Sequence, residues 1–575
     1  MIQSTLISLI ILCIGMLPKQ LLSADNREIS KYKILKPTES DSLTIAQALG
    51  YKKKYNFIRY QDNYIEWEDS TAMMRFFKAL DLSNARKAKV LHIGDSHVQA
   101  DFFTGTLRDK MQTLFGVGGR GIVFPYASAS THATRDYRTL SYGIWKYAKN
   151  IQTSPAFSLG LSGATIYTED IEAGFRIIFR EGFIHQNDKV LKIYCDQNKN
   201  VFDVRVIVNS GDTVLIKCTQ ESNKPYVRIV LPAAARDIKI ELQKDSEIQN
   251  YFQCYGISIE NTSYKGILYH SAGINGAGYS SILRQGMMPE QLKEMNPDMI
   301  CIDLGANDFY PKNIDKPVFE DNLRNIIKLM KGVCPGVSII ITCSQDIYCR
   351  KKNIAECKAF AQIARNIAFE MQCGFYDYYH ISGGQYAMNK WYVQKLAKPD
   401  RVHLTAEGYY VKGELYFNAM LKSYLYWLQN PGEPLIRDVS APEISEDTAV
   451  PERDTPNAPA QASHTYTVQS GDNLGKIAMR FGTSVSQIKE WNQLDDDNIR
   501  IGQKLKIHSA QPAIRTQAQP STPKSSATGR ITYTVKSGDS LWSISQKHKT
   551  TADKIRQLNG LKSDKLVPGM KLRIP

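Results

Sequence analysis

The apolar positions of the chain fall into three rhythms. Over about 84–125 and 265–430, short unbroken apolar runs alternate with stretches whose apolar residues recur every three or four positions. Ala88–Ile93 (AKVLHI) and Val337–Thr342 (VSIIIT) read as buried strands. Phe319–Lys331, Ile354–Met371 and Thr405–Leu428 carry the helical period, the last opening on a threonine cap. Buried strands that alternate with helices predict a parallel sheet covered on both faces. From about 128 to 262 the spacing shortens to two. RIIF, KVLKIYC, DVRVIV, TVLIKC, YVRIVL, DIKIEL and YGISIE are short strands at intervals of roughly ten residues, the pattern of a β-sandwich. The α/β rhythm on both flanks makes this sandwich an insert within one α/β domain.

The third rhythm is a repeat. HTYTVQSGDNLGKIAMRFGTSVSQIKEWNQLDDDNIRIGQKLKI aligns without gaps on ITYTVKSGDSLWSISQKHKTTADKIRQLNGLKSDKLVPGMKLRI. Tyr466 falls on Tyr533, Gly471-Asp472 on Gly538-Asp539, Ile488 on Ile555, Asn492 on Asn559 and Gly502 on Gly569. Each copy reads as strand, Ser-Gly-Asp turn, two helices and a final short strand. Pro-, Ser-, Thr- and Ala-rich stretches at 433–463 and 509–530 are expected to be extended linkers. At the other end, Leu6–Leu17 is an apolar run followed by Pro18 and Leu22-Ser23-Ala24. It is short for a membrane span, so residues 1–24 are expected to be an export signal peptide. No other stretch is apolar for 18 residues, and no transmembrane segment is expected in the mature chain. Residues 25–80 carry no pattern that assigns them a role.

Composition narrows the partners. The 575 residues, 43% hydrophobic and 22% charged, are those of globular protein in several units. A net charge of +15 favours an anionic partner. RNP-like, zinc-finger and basic-zipper patterns are missing, so nucleic acid is not an expected partner. The ten cysteines form no C-x-x-C pair. Most read as small buried hydrophobes, with Cys343–Cys349 and Cys195–Cys218 the pairs an oxidising compartment could join.

Four blocks carry chemistry. His92-Ile93-Gly94-Asp95-Ser96-His97 stands between a strand and a helix, where a serine is exposed and its own N–H is free to meet negative charge. Gly273-Ile274-Asn275-Gly276-Ala277-Gly278 follows another strand and allows close approach of backbone to ligand. Asp303-Leu304-Gly305-Ala306-Asn307-Asp308 ends the strand MICIDL and offers a carboxamide donor. Asp400-Arg401-Val402-His403 places a carboxylate three residues before a histidine, the spacing that lets it hold one ring nitrogen. His92 and His97 read as packing residues. No H-E-x-x-H or other ligand spacing occurs, so neither a metal nor a cofactor is expected.

Together, in this order, the blocks resemble the SGNH (GDSL-type) hydrolase superfamily, and with the inserted sandwich they look most like the peptidoglycan O-acetylesterases. The repeats resemble the LysM module, which grips N-acetylglucosamine-containing chains. The resemblance implies a flavodoxin-like three-layer α/β/α domain over 25–127 and 263–432, interrupted by a carbohydrate-binding-module-like insert at 128–262. Small βααβ LysM domains would follow at 464–508 and 531–575. It implies Ser96 as nucleophile, His403 as base and Asp400 as its orienting partner. The oxyanion would be held by the N–H groups of Ser96 and Gly276 and by Asn307, with Gly273 or Gly278 as alternatives to Gly276. Glycan contacts would come from Gly471, Asp472, Asn473 and Leu474 and from Gly538, Asp539, Ser540 and Leu541. The expected function is removal of O-acetyl groups from peptidoglycan by an exported enzyme of the periplasm, cell envelope or extracellular space. The alternatives are an acetyl esterase or acetyltransferase for another polysaccharide, or an inactive wall-binding protein.

Overall fold

A computed structural model describes residues 45, 47–132, 134–219, 223–309 and 315–438, and parts of 463–508 and 531–574. The expected signal peptide and the linker residues 439–462 and 509–530 lie outside the described residues. The chain divides into two compact units, Met1–Ala449 and Val450–Pro575.

The first unit is organised by six parallel strands: β1 (Lys87–Gly94), β2 (Val117–Gly119), β3 (Gly266–Gly273), β4 (Met299–Asp303), β5 (Ser338–Thr342) and β6 (Gly374–Tyr376). Their spatial order is β6-β5-β4-β1-β3-β2. Alternate residues serve opposite faces. Met299, Cys301 and Ile340 pack with the helices Thr71–Asp81, Phe103–Phe115 and Ala406–Gln429. Ile300, Ile302, Ile339 and Ile341 pack with the helices Lys316–Val333 and Cys357–Glu370. Burial on both faces is why the strands read as unbroken apolar runs, and the expected three-layer α/β/α class is the one observed.

Two antiparallel sheets form the inserted part. One has five strands, with Asp203–Val208, Asp237–Gln243 and Gly174–Phe179 at its centre. The other is built around Asp188–Cys195 and Phe252–Asn261, and Gly121–Val123 also pairs with the latter. A buried ionic cluster ties insert to sheet domain. Arg108 Nη2 lies 2.7 Å from Asp101 Oδ2, Arg120 Nη2 lies 3.2 Å from the same oxygen, and Arg120 also binds Asp136.

Residues 45–70, unassigned by pattern, belong to the sheet domain. Ile65 and Trp67 are fully buried with the long helix. Glu66 bridges to Phe375 on β6 and Trp67 to Leu435, so the segment covers a sheet edge that would otherwise expose unpaired backbone. The Glu66 carboxylate takes a 2.6 Å hydrogen bond from Arg365.

All nine described cysteines are free thiols, so neither Cys343–Cys349 nor Cys195–Cys218 is bonded. Cys343 is instead packed against Asp377 and the backbone of Tyr379, while Cys349 sits on a separate two-residue strand. Cys195 and Cys218 are neighbouring buried thiols that share a hydrogen bond.

Each C-terminal repeat pairs its first strand with its last, Ser463–Thr467 with Lys504–His508 and Ile531–Thr534 with Lys571–Ile574. The repeated asparagine does the same job in both. Asn492 Nδ2 donates to the carbonyls of Ile488 and Lys506, and Asn559 Nδ2 to those of Ile555 and Arg573, locking helix to strand.

Candidate active site

The sheet order brings the blocks together. β1 lies between β3 and β4, and Gly94 is level with Gly273 on one side and with Asp303 on the other. The segments after these three strands therefore emerge side by side at the carboxyl edge, where ligands of open α/β sheets bind.

Ser96 begins a single helical turn, Ser96–Gln99, capped by Asp95, whose Oδ1 accepts the His97 N–H. Its Oγ lies 3.0 Å from His403 Nε2, and His403 Nδ1 lies 2.9 Å from Asp400 Oδ2. The other Asp400 oxygen accepts from the backbone N–H groups of Val402 and His403, both at 3.0 Å. Burial alone would raise the Asp400 carboxyl, but these hydrogen bonds, the His403 ring foremost, hold it at about 2. It is thus ionised across neutral pH. The loop is pinned from below by Gln345, which donates to the Val402 carbonyl at 2.9 Å. Thr405 caps the long helix through the Gly408 N–H, and it fixes where the loop ends.

The three candidate glycines separate by geometry. A side chain at Gly273 would stand 2.3 Å from the Gln99 nitrogen, so this glycine permits the close passage of β3 beside the Ser96 turn. A side chain at Gly278 would strike the Asp308 carboxylate at 2.7 Å. Gly276 alone combines a left-handed φ of 83° with open space, its nearest neighbour being Ile151 of the insert, 3.7 Å from a hypothetical Cβ. Neither the Ser96 nor the Gly276 N–H donates to any described group. Both are free for a ligand oxygen.

Asn307 joins the same cleft edge. Its Nδ2 donates to the Ala277 carbonyl at 3.0 Å and to Asp95 Oδ2 at 3.2 Å. These acceptors orient the amide nitrogen toward the glycine turn. To reach a bound oxyanion, the amide has to share the longer of the two bonds.

Several contributors carry no signal in the blocks themselves. Gln99 accepts the Asn275 N–H at 2.7 Å and donates to the His132 carbonyl, holding the glycine turn against the start of the insert. His97 is a packing residue, as expected, but it packs on the key histidine. Its ring stacks on His403 at 5.4 Å between centroids, and its Nδ1 lies 2.9 Å from the Tyr409 hydroxyl. Burial pushes His97 well below the usual imidazole range, so the surface beneath His403 is uncharged. Under the strand ends, fully buried Lys412 places Nζ 2.9 Å from Asp303, beside His92.

Asp95 is raised to about 7, chiefly by burial and partly by the nearby Asp303 charge. A carboxyl whose folded pKa exceeds its ordinary value of about 3.9 stabilises the fold fully below that value. The contribution is lost as pH rises through about 7. Asp95→Asn removes the dependence. The difference in Tm between variant and wild type should therefore move in the variant's favour from pH 5 to pH 8, and a constant difference in thermal melts would count against a buried, titrating Asp95.

In the repeats, Leu474 is 2% exposed within the module core, so its side chain packs inward and does not face a glycan. Asp472 accepts from the Gln469 N–H at 2.9 Å and from the Tyr466 hydroxyl, which closes the turn. Gly471, Asn473, Gly538, Asp539, Ser540 and Leu541 lie outside the described residues.

Comparison with known proteins agrees with this geometry. Residues 259–411 match the GDSL-like lipase/acylhydrolase family, and residues 466–508 and 533–575 match the LysM domain. A solved structure of a peptidoglycan O-acetylesterase superposes with a TM-score of 0.52 at 20% identity, covering 63% of this chain and 98% of that one. An N-acetylmuramoyl-L-alanine amidase of Staphylococcus saprophyticus is 44% identical over 110 residues, 19% of this chain and 33% of its own length. An autolysin of Enterococcus faecalis is 38% identical over 113 residues, 20% of this chain and 15% of its own. The chain thus spans a third or less of the length of these curated relatives. What the matches show is a region similar to the GDSL-like lipase/acylhydrolase family, over residues 259–411, followed by two regions similar to the LysM domain.

Proposed function

We propose that this chain is an exported serine esterase that removes O-acetyl groups from peptidoglycan and is held on that polymer by its LysM domains. The observation that carries the reading is the Ser96–His403–Asp400 relay, at 3.0 and 2.9 Å, set beside two unused backbone N–H groups. Ser96 Oγ attacks the acetyl carbonyl carbon while His403 Nε2 takes its proton. Asp400 keeps the other ring nitrogen protonated and steadies the imidazolium. The tetrahedral oxyanion is held by the N–H groups of Ser96 and Gly276 and by Asn307. His403 then protonates the departing sugar oxygen, water attacks the acyl-enzyme, and acetate leaves.

The division into signal peptide, discontinuous hydrolase domain, insert and tethered modules belongs to the same proposal. The kinship of the LysM region to an amidase and an autolysin supports the choice of polymer, as does the fold shared with a peptidoglycan O-acetylesterase. Tethering concentrates enzyme at substrate without adding contacts at the active site.

Two results are expected. Asn307→Ala should lower kcat on a soluble acetyl ester by about 10²–10³, the usual cost of one oxyanion donor. A smaller loss than tenfold in steady-state assays would remove Asn307 from that role. A chain ending at residue 438 should keep its kcat/KM on the soluble ester. At limiting enzyme it should release acetate from insoluble O-acetylated peptidoglycan at least about tenfold more slowly than the full chain. Equal rates on the insoluble wall would refute the tether.

A further inference from the structure

Arg401 stands in the catalytic loop between Asp400 and His403, and the mechanism above makes no use of it. Its backbone has φ 52°, the left-handed region that glycine enters freely and arginine does not. Its guanidinium packs on two tyrosine rings, 5.3 Å from the Tyr348 centroid and 5.2 Å from that of Tyr392. Tyr348 comes from the hairpin after β5 and Tyr392 from the helix Ala387–Val393, so separate elements converge to hold one cation. Among the described residues no carboxylate pairs with it. Asp400 is occupied by His403 and by backbone N–H groups, and Asp346 by Asn353 and the Met388 N–H. Its Nε is buried and makes no hydrogen bond.

A guanidinium that packs on aromatic rings keeps its in-plane donors unspent. That is the arrangement a carboxylate meets with two parallel hydrogen bonds. Only Val402 separates Arg401 from His403, so their Cα atoms are at most about 7 Å apart. We propose that Arg401 is a specificity-determining residue that binds a carboxylate carried by the acetylated glycan close to the scissile ester. The inference rests on the wall-glycan reading and deepens it. In peptidoglycan such a carboxylate is offered by the lactyl group of muramic acid, when free, or by the stem peptide. Retaining a strained arginine where glycine would be relaxed fits a side chain that is used.

The test compares the full chain with Arg401→Ala and Arg401→Gly, the second of which suits the observed φ and guards against misfolding. Four substrates are needed: O-acetylated peptidoglycan bearing stem peptides, the same polymer stripped by an amidase to free lactyl groups, an acetylated polyuronate, and acetylated neutral xylo-oligosaccharide. Both variants should lose about 10- to 100-fold in kcat/KM on carboxylate-bearing substrates, the range expected for one charge-assisted contact, almost wholly through KM. On the neutral oligosaccharide they should stay within twofold of wild type. A loss confined to the peptide-bearing polymer assigns the contact to the stem, and a loss on the stripped polymer assigns it to the lactyl group. Equal losses on neutral and acidic substrates, or none on any acidic one, would overturn the assignment. If wild type ignores both wall polymers yet cleaves the polyuronate with the same dependence on Arg401, the wall reading fails and carboxylate recognition stands.

Discussion

Ser96→Ala is expected to reduce hydrolysis of a soluble acetyl ester by about 10⁴–10⁶, leaving only what binding and the oxyanion donors supply. The size follows from the arrangement. His403 Nε2 is 3.0 Å from Ser96 Oγ, and every other feature of the cleft acts on the adduct that this oxygen forms. Neighbouring His97 is buried and engaged with Tyr409, and so offers no substitute nucleophile. Alanine suits the first turn of a helix, and the thermal midpoint should move by no more than a degree or two. Steady-state kinetics beside a melting curve would separate lost chemistry from lost fold. A variant retaining a tenth of wild-type activity would place the nucleophile elsewhere.

The second large effect concerns stability. Lys412→Met should destabilise the first unit by about 3–5 kcal/mol, because it leaves the Asp303 carboxylate buried without a counter-charge. Burial by itself would raise Asp303, yet Lys412, followed by His92, holds it at about 2. The lysine also lies over the Phe103 and Tyr378 rings, at 4.2 and 4.7 Å, so its charge is satisfied from three sides. Methionine keeps the volume and loses the charge. The paired change Lys412→Met/Asp303→Asn should recover much of the loss, since no uncompensated ion then remains. Urea unfolding of the two single variants and the double variant would show this as a coupling well above 1 kcal/mol. An additive double variant would contradict the pair.

Much of the site was legible because its blocks sit at strand ends, where glycine, asparagine and aspartate break apolar runs sharply. Ser96, Asn307, Asp400 and His403 were found that way, and the structure places them along one edge. What the pattern could not supply is neighbourhood. Nothing in AKVLHI or MICIDL says that β1 pairs with β3 and β4 at once, and it is this order that levels Gly94 with Gly273 and Asp303. Choosing among Gly273, Gly276 and Gly278 likewise required three-dimensional crowding. Gln99 was hidden for another reason. A single polar residue in a four-residue helix has no period to betray it. Residues 45–70 were unreadable because an edge-covering segment needs bridges at Glu66 and Trp67 more than a regular element. The inward packing of Leu474 follows its spacing to Ile477, a core signal that the turn motif beside it obscures.

The proposed activity is read most directly as acetate released from purified O-acetylated peptidoglycan by the full chain, set against its Ser96→Ala variant. Both proteins should sediment with the wall material, and only the wild type should liberate acetate. A wild-type chain that hydrolyses a soluble acetyl ester but frees no acetate from the polymer would contradict it.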